Sequence, residues 1–218
     1  MEKKRLVIFD FCETLVRFQS ADKFVDFVRE DLRSPRMRYR ECFRTILSFL
    51  RVLRGESNKR AKLLQLEGLP KPRLEAFAER FVEERIRPNL IGRTTKILEQ
   101  HLDNGDEVVI VSGGYSQYLN VFASQVGVKI VVATDIDFSD GVCTGRIAGD
   151  NCMGELKVKK LRDRISLDEY DLEDSYVYTD DIKDLPLLDL VGNKVLVTKH
   201  PNDQLAEQYG LQQIVWSH

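Results

Sequence analysis

The sequence lacks any apolar run approaching the roughly 18 to 20 residues that a helical membrane span needs. No membrane association is therefore expected. It also lacks paired Cys-x-x-Cys spacing: Cys12, Cys42, Cys143 and Cys152 stand far apart. Neither a disulfide framework nor a zinc site follows, and a reducing cytoplasm is the default setting. There is no internal repeat and no low-complexity tract. No aromatic-basic recognition motif is present, so nucleic acid is not an expected partner. The first apolar run begins within a few residues of Met1, which leaves no room for a secretory leader.

What is present describes an ordinary globular chain. Its 218 residues are 43% hydrophobic and 31% charged, enough for one α/β core with an inserted module. The net charge of −2 conceals an uneven split. Residues 17–88 hold 18 Lys and Arg against 11 Asp and Glu, whereas the remainder holds 15 against 24. Such asymmetry suggests two modules: a basic one meeting an anionic ligand above an acidic floor, or equally a set of solvated helix faces.

Leu6-Val7-Ile8-Phe9 reads as a strand buried on both faces, the mark of a parallel sheet. A carboxylate, Asp10, stands at its C-terminal end, where open α/β sheets form their ligand crevice. Burying that charge is costly unless something pairs with it, and a divalent cation is one candidate. Residues 21–88 then carry apolar side chains at helical spacing, as in Phe24, Phe27 and Val28 or Leu74, Phe77, Phe81 and Val82. They read as a compact helical insertion whose aromatics pack.

From residue 92 the pattern alternates. Helices are predicted near 94–102, 117–125 and 155–164, with strands near 107–112, 129–133, 175–179, 194–198 and 213–216. A polar hairpin is predicted over 135–150, its turn at Asp140-Gly141. Alternating helices and short apolar strands predict an α/β fold, a doubly wound parallel sheet. In such a sheet Asp10, Ser112 with Gly113, Lys157, and Asp180, Asp181 and Asp184 all fall at strand ends or helix starts, so they can converge.

Together these residues resemble the haloacid dehalogenase-like superfamily, in its phosphoserine-phosphatase-like branch. Asp10-Phe11-Cys12-Glu13-Thr14-Leu15 is similar to the first motif, and Val109-Ile110-Val111-Ser112-Gly113-Gly114 to the second. Gly154-Glu155-Leu156-Lys157 is similar to the third, and Thr179-Asp180-Asp181-Ile182-Lys183-Asp184 to the acidic fourth. The resemblance covers almost the whole chain. It implies a Rossmann-like core over residues 1–16 and 89–218 and a helical cap over 17–88. It further implies a Mg²⁺-dependent phosphatase acting on a small phosphorylated metabolite, as a monomer or weak homodimer.

In that reading Asp10 attacks phosphorus and becomes a transient aspartyl phosphate. Asp10, Asp180 and the backbone carbonyl of Cys12 hold Mg²⁺, with Asp184 orienting metal-bound water. Thr14 belongs to the catalytic motif. Ser112 and neighbouring N–H groups, Gly113 among them, bind the phosphoryl oxygens, and Lys157 neutralises charge. Arg17, Arg51 and Arg54 are candidates for a second anionic group on the substrate. One departure matters. The superfamily's phosphatases usually carry an acid/base Asp where this chain has Cys12, a weaker acid. Glu13 could take the role, but an extended segment points it the other way. A phosphotransferase using the same intermediate, or a catalytically silent phospho-ligand-binding protein, are the alternative readings.

Overall fold

The computed structural model describes residues 3–32 and 58–217. Arg51 and Arg54 lie outside the described residues, as does Cys42. Strand β1 (Lys4–Phe9) runs through the middle of the sheet, and Leu6, Val7, Ile8 and Phe9 are fully buried. Successive side chains of a strand point to opposite faces. Leu6 and Ile8 accordingly enter one apolar cluster, and Val7 and Phe9 the other. Each such burial stabilises by about 1.5–3 kcal/mol, so both faces demand a helical cover.

The chain supplies it. After β1 come α1 (Ser20–Leu32), α2 (Asn58–Leu63), α3 (Lys71–Phe81) and α4 (Gly92–Asp103). Then follow β2 (Glu107–Tyr115), α5 (Ser116–Val126), β3 (Ile130–Ser139), β4 (Val142–Ala148) and α6 (Glu155–Arg164). The last third holds β5 (Tyr170–Thr179), α7 (Leu185–Leu188), β6 (Asn193–Thr198), α8 (Asp203–Tyr209) and β7 (Gln212–Val215). The sheet order is β4-β3-β2-β1-β5-β6-β7, parallel throughout except for the β3–β4 hairpin. The expected doubly wound sheet is therefore present. Its winding reverses between β1 and β5, which is where a crevice opens in such sheets.

Register carries the chemistry to that crevice. Phe9 lies opposite Tyr178 of β5 and Ile110 of β2. The Asp10 N–H donates to the Tyr178 carbonyl at 2.9 Å, which extends the ladder by one residue and pins Asp10 at the edge. Ser112 and Asp180 sit two residues beyond their paired positions on either side.

Three local expectations change. β2 runs on through Ser112-Gly113-Gly114 to Tyr115, because Tyr115 pairs with Thr134 after a break in register. β5 starts five residues early, because Tyr170 and Asp171 pair with Lys4 and Arg5 across a bulge. The segment after Asp10 is a tight turn rather than extended chain: Leu15 and Val16 both donate to the Phe11 carbonyl, and Glu13 has φ 52°.

The helical stretch after β1 leaves and returns at adjacent points. Arg17 donates to the Asn89 carbonyl at 3.0 Å and Ile91 to that of Leu15 at 2.9 Å. Among the described residues its aromatics pack as anticipated, with no core of their own. Phe24, Phe27 and Phe81 join Tyr118 and Phe122 of α5 in one continuous cluster with the sheet.

Gly192, before β6, offers a check on the opposite side of the fold. Its N–H donates to Leu172 at 2.9 Å, and a Cβ there would fall on the Glu173 carbonyl. Gly192→Ala is expected to cost about 1–3 kcal/mol, seen as a lower urea midpoint at unchanged slope.

Candidate active site

A cleft of about 590 Å³ opens at the C-terminal edge of β1, β2 and β5. Asp10, Cys12, Ser112, Gly113, Lys157, Asp180 and Asp184 line it. Strand register brings Asp10, Ser112 and Asp180 to one edge, and α6 and the turn after β5 add Lys157 and Asp184.

At its centre is a buried charge cluster. The Lys157 ammonium donates to Asp10 Oδ1 at 2.9 Å and to Asp184 Oδ2 at 2.6 Å. Exposure of the three residues is 4%, 6% and 4% for Lys157, Asp10 and Asp184. Thr179 Oγ1 adds a 2.8 Å bond to the same Asp184 oxygen. Burial works against the Lys157 ammonium, but Asp10 and Asp184 outweigh it and hold its pKa above the ordinary lysine value. Burial likewise pushes the Asp10 carboxyl up, against the pull of Lys157 and with the push of Asp184.

Asp180 stands apart from that cluster. Its contact with Thr14 Oγ1 is long, at 3.5 Å. Burial, with the Asp10 charge second, raises its pKa to about 8. Both effects disfavour the charged form of a carboxyl. Among the described residues no three His, Cys, Asp or Glu side chains form a preassembled metal cage. The hard oxygen donors Asp10, Asp180 and the Cys12 carbonyl nonetheless suit a divalent cation that keeps several waters. A cation there would offset the burial and the Asp10 charge that together lift Asp180. Asp184 is turned to Lys157 and Thr179.

Ser112 is buried, and its Oγ accepts the Gly114 N–H at 3.1 Å. α5 starts only at Ser116, so Ser112 is not a helix cap. Thr14 is fully buried, its carbonyl held by Thr94 Oγ1 at 2.6 Å. Cys12 Sγ faces α1, accepting the Ser20 N–H at 3.3 Å and lying 3.1 Å from Ser20 Oγ. Ser20 Oγ in turn lies 2.7 Å from the Tyr118 hydroxyl. Burial, then the Asp10 charge, pushes the Cys12 thiol up to about 12, so it stays protonated.

Other expected residues fall elsewhere. Arg17 does not line the cleft: the turn after Asp10 sends it to Asn89, and its guanidinium lies 5.9 Å over the Trp216 ring. Glu13 is held on the surface by Gln19 at 3.2 Å and Lys199 at 3.2 Å, so it points away because of its left-handed turn conformation. Asp181 accepts the Lys183 N–H at 2.9 Å and so closes a turn. Lys59, Ser20 and Thr179 were not anticipated. Lys59 lies in a basic helical run, Asn58-Lys59-Arg60, that gives no local sign of reaching the core.

A family model for haloacid dehalogenase-like hydrolases matches residues 7–189. A phosphoserine phosphatase of Mycobacterium tuberculosis (strain ATCC 25618 / H37Rv) is 27% identical over 201 residues, 87% of this chain. The match spans 63% of that relative's own length. A phosphoserine phosphatase of Methanocaldococcus jannaschii is 26% identical over 202 residues, 92% of this chain and 88% of its own. A solved structure of a Bordetella pertussis Tohama I protein of unknown function superposes with a TM-score of 0.78 at 28% identity. It covers 98% of this chain and 99% of its own. With the model matched across the crevice and all four motifs, the chain belongs to the haloacid dehalogenase-like hydrolase family.

Proposed function

We propose that the protein is a phosphatase that hydrolyses a small-molecule phosphomonoester through an aspartyl phosphate on Asp10. The reading rests on Asp10 itself, a 6% exposed carboxylate ending the central strand, paired to Lys157 and sharing one cleft with Ser112. An Asp10 oxygen bonds to phosphorus as the bond to the leaving alkoxide breaks. Water then attacks the aspartyl phosphate, releasing phosphate and restoring Asp10. Lys157 favours the ionised form of Asp10 and sets a positive charge beside the transferring group. Ser112 Oγ already accepts from Gly114, so its own proton is left to donate to a phosphoryl oxygen.

Asp10, Asp180 and the Cys12 carbonyl would hold Mg²⁺, with Asp184 orienting its waters. When bound, Mg²⁺ compensates the charge of an anion meeting an anionic ester. Residues 17–88 would act as the cap over a core of 1–16 and 89–218. The adjacent exit and return at Arg17 and Asn89 support an inserted module. Buried thiols at Cys12 and Cys152, outside any disulfide, fit a cytoplasmic setting.

A phosphotransferase is the second reading, favoured by Cys12. Its protonated thiol, tied to Ser20, offers no ready base for water, which would prolong the aspartyl phosphate. Turnover of p-nitrophenyl phosphate and a metabolite panel with Mg²⁺ is the test. Phosphate release lost on chelation supports the phosphatase, and transfer to an added alcohol in preference to water supports the second reading. No turnover of either kind would leave a silent phospho-ligand-binding protein.

Mg²⁺ alone is expected to raise the unfolding temperature. Saturation to about 100 times Kd stabilises by about 2.7 kcal/mol. Asp180→Asn should remove most of that shift, and an equal shift in the variant would exclude Asp180 as a ligand.

A further inference from the structure

The Lys59 side chain crosses from α2 to the core and spends its donors on three elements there. It bonds Asn151 Oδ1 at 2.6 Å, Thr134 Oγ1 at 3.2 Å and the Gly113 carbonyl, with its ammonium 5.2 Å over the Tyr115 ring. The Gly113 carbonyl belongs to the same planar peptide as the Gly114 N–H, and that N–H is the one bonded to Ser112 Oγ. Rotating this peptide would carry both groups with it.

Neither local sequence nor strand pairing fixes the peptide. Two consecutive glycines impose almost no backbone preference of their own. The β2–β3 ladder breaks register between Val111 and Tyr115, so strand pairing does not fix it either. Thr134 Oγ1 lies 3.1 Å from the Gly113 carbonyl and 2.9 Å from Asn151 Oδ1, yet a hydroxyl has one proton for two acceptors. The Lys59 ammonium, with three, satisfies both.

We propose that Lys59 is a positioning residue for Ser112, acting through the Gly113–Gly114 peptide. The proposal rests on Ser112 as the phosphoryl-binding hydroxyl. It makes the docking of α2 on the core a condition for a correctly aimed Ser112.

Inorganic phosphate, titrated calorimetrically in Mg²⁺, is the probe. Wild type, Lys59→Met, Ser112→Ala and the double variant are compared, with thermal unfolding as the folding control. Each single variant is expected to weaken phosphate about 10-fold, the effect of one lost hydrogen bond. The double variant should be no weaker than Ser112→Ala, because the two act on one contact. If Lys59→Met fails to fold, Lys59→Gln, which keeps two N–H donors, takes its place with the same non-additivity expected. Wild-type affinity in the Lys59 variant, or losses that multiply in the double variant, would overturn the role of Lys59 and leave that of Ser112 standing. Wild-type affinity in Ser112→Ala, or no phosphate binding at all, would overturn the reading of Ser112 and this inference with it.

Discussion

Replacing Asp10 by Asn is expected to abolish turnover, by about 10⁴-fold or more, while the fold survives. The amide has nearly the shape of the carboxylate, and its oxygen can still accept from Lys157. It cannot attack phosphorus. Lys157 also keeps its 2.6 Å bond to Asp184, so no buried charge is stranded. That separates this change from removal of Lys157, which would leave two buried carboxylates without their cation. The measurement is kcat/KM on p-nitrophenyl phosphate beside thermal unfolding of each protein. Residual turnover within tenfold of wild type, in a folded variant, would dismiss Asp10 as the nucleophile.

Cys12→Asp is expected to raise kcat by about 10²-fold, the lower end of what a placed acid/base contributes. The position is already furnished for a carboxylate. Ser20 N–H and Oγ lie 3.3 and 3.1 Å from the sulfur, and both can donate to an acid there. The charges of Asp10 and Asp180, which help push the thiol up, would also raise a carboxyl toward the operating range. Such a group could protonate the leaving alkoxide and then draw a proton from water. Cys12→Ser, which supplies no comparable acid, should show no gain. If Cys12→Asp folds and also gains nothing, the missing acid does not limit the reaction, and partition between water and acceptor alcohols becomes the measurement that matters.

Much of the site was legible because its residues are tied to local pattern. Asp10 follows four apolar residues, Ser112 follows Val109-Ile110-Val111, and Asp180 follows a strand with Val177 and Tyr178 buried. The span of α6 matches its predicted bounds, and Asp140-Gly141 adopts the positive φ values of 51° and 75° that a tight hairpin asks for. These are consequences of period, propensity and turn chemistry within a few residues.

Other features had no local signal. Arg17 looked like a cleft residue until the turn after Asp10 carried it to Asn89 and Trp216. Cys12 looked like a bare substitution, whereas its sulfur joins a chain through Ser20 to Tyr118, 98 positions beyond Ser20. Lys59 is one of 18 Lys and Arg in residues 17–88, with nothing in the sequence to single it out.

The sequence by itself determined the parallel sheet, the order of its elements and which carboxylates stand at strand ends. Those depend on apolar periodicity and on the cost of burying a charge, both written along the chain. Only the tertiary structure decided that Lys157 bridges Asp10 and Asp184, that Cys12 turns toward Ser20, and that Lys59 reaches the Gly113–Gly114 peptide. Each of those depends on which donors and acceptors meet across strands and helices distant in sequence, where most buried polar groups find a partner.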